Sequence, residues 1–147
     1  MPKDAHPRHC SIAGTLDLVG ERWSLLALRE IARGVRRFDG IAYHTGASRD
    51  ILTARLRKLE AVGIVRRERY QEHPDRYEYH LTPEGAELND VLLVLGRWGD
   101  RHLNPGAPPV RFRHACGEQL EAEVVCAHCG RPAREGLTIL DEQPAAT

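Results

Sequence analysis

The sequence predicts a mainly helical α+β protein that contains one small β hairpin. Apolar residues recur at helical spacing up to Gly63, and the pattern then changes to that of strands. A Thr-Pro start signal at residues 82–83 begins a further long helix. The 147 residues allow one ordinary domain with a small appendage, which excludes a large multidomain enzyme.

The segment before Gly63 divides into short helices separated by glycines, which favour helix ends. We expect them at Cys10–Gly20, from Ser24 as N-cap to Gly34, at Phe38–Tyr43 before Gly46, and from Ser48 as N-cap to Gly63. The last of these helices is amphipathic. Its apolar stripe is Ile51, Leu52, Leu56, Leu59 and Val62, and its polar face carries Arg49, Thr53, Arg57 and Glu60.

Two strands and a long helix follow. The strands are predicted at Ile64–Tyr70 and Tyr77–Leu81, with a polar turn between them at Gln71–Arg76. The helix at Glu84–His102 is apolar on nearly all sides in its middle. Such a helix needs a covering partner, either a second copy of itself or the rest of the chain.

The charge of the chain is unevenly distributed. Lys plus Arg and Asp plus Glu both number 21, yet residues 29–70 hold eleven cations against five acids, and residues 83–147 hold six arginines against ten acids. This asymmetry indicates a polyanion site in the middle of the chain. Nineteen of the 21 cations are arginine, which suits bidentate contacts with phosphates, although genomic base composition would produce the same bias.

The order helix, turn, helix and basic hairpin is typical of a winged helix-turn-helix that binds double-stranded DNA. We place the recognition helix at Ser48–Ala61, in the major groove, and the hairpin beside the neighbouring backbone. Any single arginine could instead be a solvated surface charge. The candidate DNA-binding residues are Arg36, Arg37, Ser48, Arg49, Thr53, Arg57, Arg66, Arg67, Arg69 and Arg76.

The chain resembles the HxlR family of bacterial transcriptional regulators over about residues 10–102. The residues that carry the resemblance are Cys10–Trp23, Leu25–Glu30, Arg37-Phe38, Leu52–Glu60, Gly63–Val65 and Tyr77–Gly85. The resemblance implies a winged-helix homodimer, joined through its first and last helices, that binds an inverted-repeat operator sequence-specifically. Two-fold symmetry then places the recognition helices about 34 Å apart. Ser11 departs from the family, which more often has proline there.

A breaker-rich linker at residues 104–109 separates the dimerisation helix from a small appendage at residues 110–140. The appendage contains a Cys-x-x-Cys-Gly knuckle, a pattern in which two thiolates grip one tetrahedral ion. With a hairpin at Gln119–Val125, it is expected to form a zinc-ribbon-like unit with a structural zinc. His114, Cys116, Cys126 and Cys129 are the expected ligands, His128 or water could replace His114, and a metal-free thiol cluster or reduced buried thiols are the alternatives.

Cys10 is a redox candidate, because cationic neighbours and a helix N-terminus favour thiolate. It also matches a position where some members of the resembled family carry a sensing cysteine. The alternative function is therefore a regulator that releases DNA on Cys10 modification or on binding a small apolar ligand between its long helices. The alternative role of Cys10 is simple packing. No nucleophile elbow, phosphate loop or paired carboxylates with a nearby base are found, so we expect the protein not to be an enzyme. A zinc-ribbon enzyme or a scaffold is the less favoured alternative.

The chain is expected to be cytoplasmic and without membrane contact. No apolar signal segment follows Met1, and the longest apolar run, Val91–Leu95, is too short to span a bilayer. Residues 1–9 are predicted to be an N-terminal arm and residues 141–147 a disordered tail.

Overall fold

The structure is a computed structural model that describes residues 8–142. Its elements are α1 (Ser11–Val19), α2 (Arg22–Ala32), α3 (Phe38–Thr45), α4 (Arg49–Ala61), β1 (Val65–Glu72), β2 (Asp75–Leu81) and α5 (Pro83–His102). This order confirms the predicted mainly helical fold with one small hairpin. Most of the predicted arm and tail, residues 1–7 and 143–147, lies outside the described residues.

The described chain forms two compact units, and the described part of the first comprises residues 8–89 with residues 140–142. Its core is built from α2, α3, α4 and the start of β1. The core side chains with at most 2% exposure include Leu28, Ile41, Leu52, Leu56, Leu59 and Val65. Burying each such side chain contributes about 1.5–3 kcal/mol, so Leu52, Leu56 and Leu59 of the predicted stripe hold α4 in the core. The other two predicted members, Ile51 and Val62, are 38% and 42% exposed and do not belong to the core.

Helix α2 begins earlier than the sequence predicts. Its N-cap is Glu21, whose carbonyl accepts hydrogen bonds from the backbone N–H groups of Ser24 (3.0 Å) and Leu25 (3.3 Å). Ser24 lies inside the helix and is 1% exposed, so its predicted capping role is wrong. A small hydroxyl side chain fits a crowded helix face as well as it fits a cap, and the sequence pattern alone did not separate the two.

The two other predicted N-caps are confirmed. The Ile51 N–H donates to Ser48 Oγ at 3.3 Å, and the Gly85 N–H donates to Thr82 Oγ1 at 3.1 Å. The Thr82 hydroxyl also lies 2.5 Å from the carbonyl oxygen of Gly63. Thr82 therefore fixes the start of α5 to the turn that ends α4.

The hairpin is longer and its turn tighter than predicted. The antiparallel pairing runs from Val65 opposite Leu81 to Glu72 opposite Asp75, with an irregularity between Arg69 and Gln71. Only His73 and Pro74 remain as the loop, and their peptide bond is cis. The polar residues at 71, 72, 75 and 76 continue the ladder because strand pairing needs only backbone groups, and their side chains are at least partly exposed.

The second compact unit comprises residues 90–139, the end of α5 and the appendage. The boundary between the two units lies within α5. In the second unit, Arg97 of α5 donates to the carbonyl of Ala122. The predicted hairpin at Gln119–Val125 is wrong, since this segment contains no strand. Instead, two isolated bridges, Arg113 with Gln119 and Val125 with Pro132, each close a turn.

The apolar face of α5 is exposed. Val91, Leu95 and Trp98 are 57–58% exposed in the described chain, and the rest of that chain does not cover them. They help to line an open apolar groove of about 500 Å³, formed by Asp90, Val91, Val94, Leu95, Trp98 and Val124. Among residues 8–142, no helix combines the length and hydrophobicity that a bilayer crossing requires.

Candidate nucleic-acid interface

Helix α4 presents a polar stripe opposite its buried face. Arg49, Thr53 and Arg57 are spaced four residues apart and therefore lie along one side of the helix. The guanidinium of Arg49 lies over the Phe38 ring (4.7 Å) and pairs with Asp39 at 2.7 Å. Arg57 is exposed and forms no ion pair or hydrogen bond with any part of residues 8–142. This stripe is the part of the chain best shaped to enter a major groove.

Two other cations of α4 have internal contacts. Arg55 pairs with Glu21, and its side chain is 29% exposed. Lys58 Nζ donates to the carbonyl oxygen of Asp17 at 2.6 Å, near the end of α1. Both side chains attach α4 to the α1–α2 segment, so they are not available to a ligand in the way that Arg57 is.

One face of the hairpin carries a mixed-charge cluster. Arg66 opposes His80, and Glu68 opposes Glu78, so these four side chains share a face. Arg66 pairs with Glu68 at 2.7 Å, and His80 Nε2 lies 3.4 Å from the Glu68 carboxylate and 3.6 Å from that of Glu78. The hydrogen bond from Arg66 lowers the pKa of Glu68, which therefore stays ionised at neutral pH.

Arg37 joins the helix-turn-helix to this face of the hairpin. Its guanidinium lies 4.3 Å from the ring centroid of Tyr70, and its Nε lies 3.6 Å from the carboxylate of Glu78. In the same segment, the carbonyl of Arg36 accepts a hydrogen bond of 2.8 Å from the Tyr79 N–H. The loop before α3 is therefore fixed to β2.

The opposite face of the hairpin turns towards α4. Arg67 pairs with Glu60 at 3.0 Å and lies over the Tyr77 ring at 4.5 Å. Burial raises the pKa of Tyr79, and the positive charges of Arg67 and Arg57 partly oppose this shift. The ion pair between Arg67 and Glu60 therefore fixes the wing to the last turn of α4.

The tip of the hairpin contains the last two predicted arginines. Arg69 lies 3.6 Å from Glu72 and 3.5 Å from Asp75. Arg76 is exposed and, like Arg36 and Arg57, forms no ion pair or hydrogen bond through its guanidinium with the described part of the chain.

The structure therefore brings the ten predicted DNA-binding residues to α4, the loop before α3 and the wing, but it divides their arginines into two groups. Within residues 8–142, three guanidinium groups form no ion pair, those of Arg36, Arg57 and Arg76, and five are paired with carboxylates of the chain itself, those of Arg37, Arg49, Arg66, Arg67 and Arg69. The five paired side chains are 44–71% exposed. Exposed pairs contribute only about 0–1 kcal/mol each, so a phosphate can displace them.

Sequence reasoning missed the aromatic residues of this surface. Phe38, Tyr70 and Tyr77 each lie under one of the predicted arginines. Their rings hold guanidinium groups in place through cation–π contacts. The available signal was the alternation of tyrosine and arginine along two strands expected to pair.

The four cysteines are free and lie in three segments of the chain: Cys10 before α1, Cys116 in one turn of the appendage, and Cys126 with Cys129 in the other. Cys10 is exposed and is the N-cap of α1, without a side-chain capping bond. In the appendage, the backbone N–H groups of Cys129 and His128 donate to Cys126 and lower the pKa of its thiol. His114 and Cys116 belong to the other turn, where the Cys116 N–H donates to His114 Nδ1 at 3.2 Å. Within residues 8–142, no three His, Cys, Asp or Glu side chains are grouped as metal ligands, so the four predicted zinc ligands are not assembled.

Known proteins are similar to this chain in sequence and in fold. An uncharacterized HTH-type transcriptional regulator of Mycobacterium tuberculosis is 46% identical over 122 residues, which are 82% of this chain and 77% of the relative. A similar regulator of Synechocystis is 42% identical over 64% of this chain and 70% of its own length.

Solved structures extend the comparison. PA1607 has a TM-score of 0.77 and 29% identity, with 90% of this chain and 96% of that chain covered. The redox regulator HypR in its oxidized form has a TM-score of 0.58 and 33% identity, with 63% and 97% covered. The HxlR-like helix-turn-helix family matches residues 18–107. This match covers most of the chain, including α2 to α5, and the chain therefore belongs to the HxlR-like helix-turn-helix family.

Proposed function

We propose that the protein is a transcriptional regulator that binds double-stranded DNA sequence-specifically as a homodimer, on an inverted-repeat operator. One observation carries this proposal: the polar stripe of Arg49, Thr53 and Arg57 lies on α4, and the Arg67–Glu60 ion pair holds an arginine-bearing wing against the same helix. Helix side chains in the major groove read base edges, while wing arginines contact phosphates. Five of these arginines start out paired with carboxylates, so DNA binding exchanges intramolecular ion pairs for contacts with phosphate.

The proposed dimer rests on two exposed apolar faces. On α1, Ile12 and Leu16 are 71% and 54% exposed, and on α5, Leu95 and Trp98 are 57% and 58% exposed. Apolar side chains at this density on helices are typical of surfaces covered by a partner. A second copy would bring the same two faces and would supply the two-fold symmetry that an inverted repeat requires.

The DNA-binding proposal is tested by footprinting on the DNA upstream of the protein's own gene, with binding measured at two salt concentrations. We expect a palindromic footprint and a steep fall in affinity as salt increases, because each displaced counterion adds to the slope. If the protein binds unrelated duplexes as tightly as the upstream DNA at both salt concentrations, sequence-specific regulation is contradicted and a scaffold role is favoured.

The dimer is tested with Leu95→Asp, which places a charge in the exposed face of α5. We expect sedimentation to show a monomer whose affinity for the palindrome is strongly reduced. Leu137→Asp is the matched control, because Leu137 is 80% exposed but lies in the appendage. A Leu95→Asp protein that stays dimeric and binds normally would contradict the proposed interface.

A thiol-sensing version of this function is the second candidate. Cys10 is a free and exposed thiol at the start of α1, and similar solved structures include the redox regulator HypR in oxidized and reduced forms. Oxidation of Cys10 would then change the packing of α1 and release DNA.

The test is Cys10→Ser. The variant should bind the operator as the wild type does, but diamide or hypochlorite should no longer release it. A wild-type protein that keeps its DNA in both oxidants would argue against Cys10 sensing while leaving the DNA-binding proposal intact. In that case, the groove beside Leu95 and Trp98 is the candidate site for a small apolar effector.

A further inference from the structure

The appendage contains two turns of the same design. In the first, the His114 N–H donates to the Glu118 carbonyl (2.9 Å), and the Gly117 N–H donates back to the His114 carbonyl (2.9 Å). In the second, the Cys126 N–H donates to the Arg131 carbonyl (2.9 Å), and the Gly130 N–H donates back to the Cys126 carbonyl (2.7 Å). A bridge between flanking residues closes each turn, as described above. The sequence did not reveal this repeat, because one turn is a residue shorter than the other.

The repeat places metal-binding residue types at matching positions. Each turn has a His or Cys at its first position and a Cys immediately before a glycine in the left-handed region, with φ of +95° at Gly117 and +72° at Gly130. In both turns, the backbone N–H of the last Cys points at the first side chain, towards His114 Nδ1 in one and the sulfur of Cys126 in the other. Each turn thus presents two side chains of metal-binding types from one short segment, His114 and Cys116 in the first and Cys126 and Cys129 in the second.

The second observation is the missing core of the appendage. None of residues 103–142 is buried, and Leu137, Ile139 and Leu140 are 74–96% exposed. A segment of this size with no hydrophobic core needs another source of stability, which in small units is commonly a disulfide or a metal ion. Its three cysteines are free.

We propose that the appendage binds one zinc ion through Cys116, Cys126 and Cys129, with His114 as the fourth ligand, and that the ion joins the two turns. The Cys126–Cys129 turn is the preformed half of the site, and the first turn closes onto it. Closure breaks the hydrogen bond from Cys116 to His114 Nδ1. The three thiols lose their protons as the ion binds, so a site of one Zn²⁺, three thiolates and neutral imidazole carries a net charge of −1.

A zinc ion with four protein ligands has no open position for a substrate. The site would therefore act as a structural link within residues 110–140 and not as a catalyst. The inference is independent of the proposed DNA-binding function, because none of its ligands lies on α4 or the wing.

The first test is elemental analysis of full-length protein purified without added metal. We expect about one zinc per chain in the wild type and in Cys10→Ser, the matched control cysteine outside the appendage. Cys116→Ser, Cys126→Ser and Cys129→Ser should each retain less than about a tenth of it. Less than half an equivalent in the wild type, or full zinc in Cys116→Ser, would overturn the proposal.

A second test does not depend on how the variants fold. Wild-type protein stripped with a chelator is titrated with Co²⁺, whose visible spectrum reports tetrahedral geometry and the number of thiolate ligands. We expect one equivalent to give tetrahedral bands with thiolate charge transfer, and hydrogen exchange in residues 110–140 to slow at least tenfold. His114→Gln should shift the bands, whereas His128→Gln should not. A shift of the bands in His128→Gln but not in His114→Gln would refute the four-ligand site. It would also be refuted by an octahedral spectrum or by a Cys126–Cys129 disulfide in metal-free purified protein.

Discussion

Replacing Arg57 by alanine should separate DNA affinity from stability. The side chain of Arg57 is exposed and forms no ion pair or hydrogen bond with residues 8–142, so its removal breaks no internal ion pair or side-chain hydrogen bond. The free energy of unfolding should therefore change by less than about 0.5 kcal/mol. The predicted effect falls almost entirely on the complex with DNA.

The magnitude follows from the geometry of α4 and the symmetry of the proposed dimer. A side-chain contact to a base edge contributes about 1–3 kcal/mol, and a dimer loses two such contacts, or about 2–6 kcal/mol. At about 1.4 kcal/mol for each tenfold change, Kd should rise by about 30-fold or more. If Arg57 contacts phosphate instead, the slope of log K against log salt should fall by about 2 for the dimer.

The assay is fluorescence anisotropy on the footprinted duplex at two salt concentrations, paired with thermal unfolding. Arg55→Ala is the matched control on the same helix, because Arg55 pairs with Glu21 and its side chain is 29% exposed. This control should lose up to about 1 kcal/mol of stability and keep its DNA affinity. If Arg57→Ala binds within threefold of the wild type at both salt concentrations, or if Arg55→Ala loses more affinity, the proposed docking of α4 is refuted.

Two further predictions concern the same unit. Asp39→Asn removes the exposed carboxylate that pairs with Arg49. Operator affinity in the anisotropy assay should therefore increase by up to about fivefold per subunit. Weaker binding would contradict the idea that Asp39 competes with DNA for Arg49. Gly85→Ala adds a Cβ that would overlap the carbonyl oxygen of Ile64, and it should lower Tm by at least about 4 °C. Gly96→Ala, in the same helix with open space around it, should not lower Tm, because alanine favours a helix more than glycine does. Equal losses in both variants would contradict the proposed overlap with Ile64.

The paired arginines change how the positive charge of the chain is understood. Counted along the sequence, residues 29–70 are strongly cationic. In the fold, Asp39, Glu60, Glu68 and Glu78 each pair with one of the predicted DNA-binding arginines. We expect this self-pairing to limit binding to non-specific DNA, because each pair must be displaced before a phosphate is bound.

Local signals in the sequence were sufficient for the order of the elements and for most of their ends. The caps at Ser48 and Thr82 and the buried leucines Leu52, Leu56 and Leu59 of α4 were predictable, since they depend on residues within one or two turns of each other. The two ends of the predicted stripe, Ile51 and Val62, were not, because they are exposed in the fold. Ser24 was not, because a serine inside a helix and a serine at its start look alike until the packing around them is known.

By itself, the sequence determined the helix-turn-helix, the presence of the hairpin and the residue types of the interface and the thiol turns, because periodicity and capping act over a few residues. Only the tertiary structure decided which arginines are unpaired. Register sets this outcome: Arg66 and Arg67 are neighbours in sequence, but strand geometry sends them to opposite faces, one to Glu68 and the other to Glu60. Which carboxylate neutralises which arginine depends on contacts across strands and between elements, and no local pattern records them.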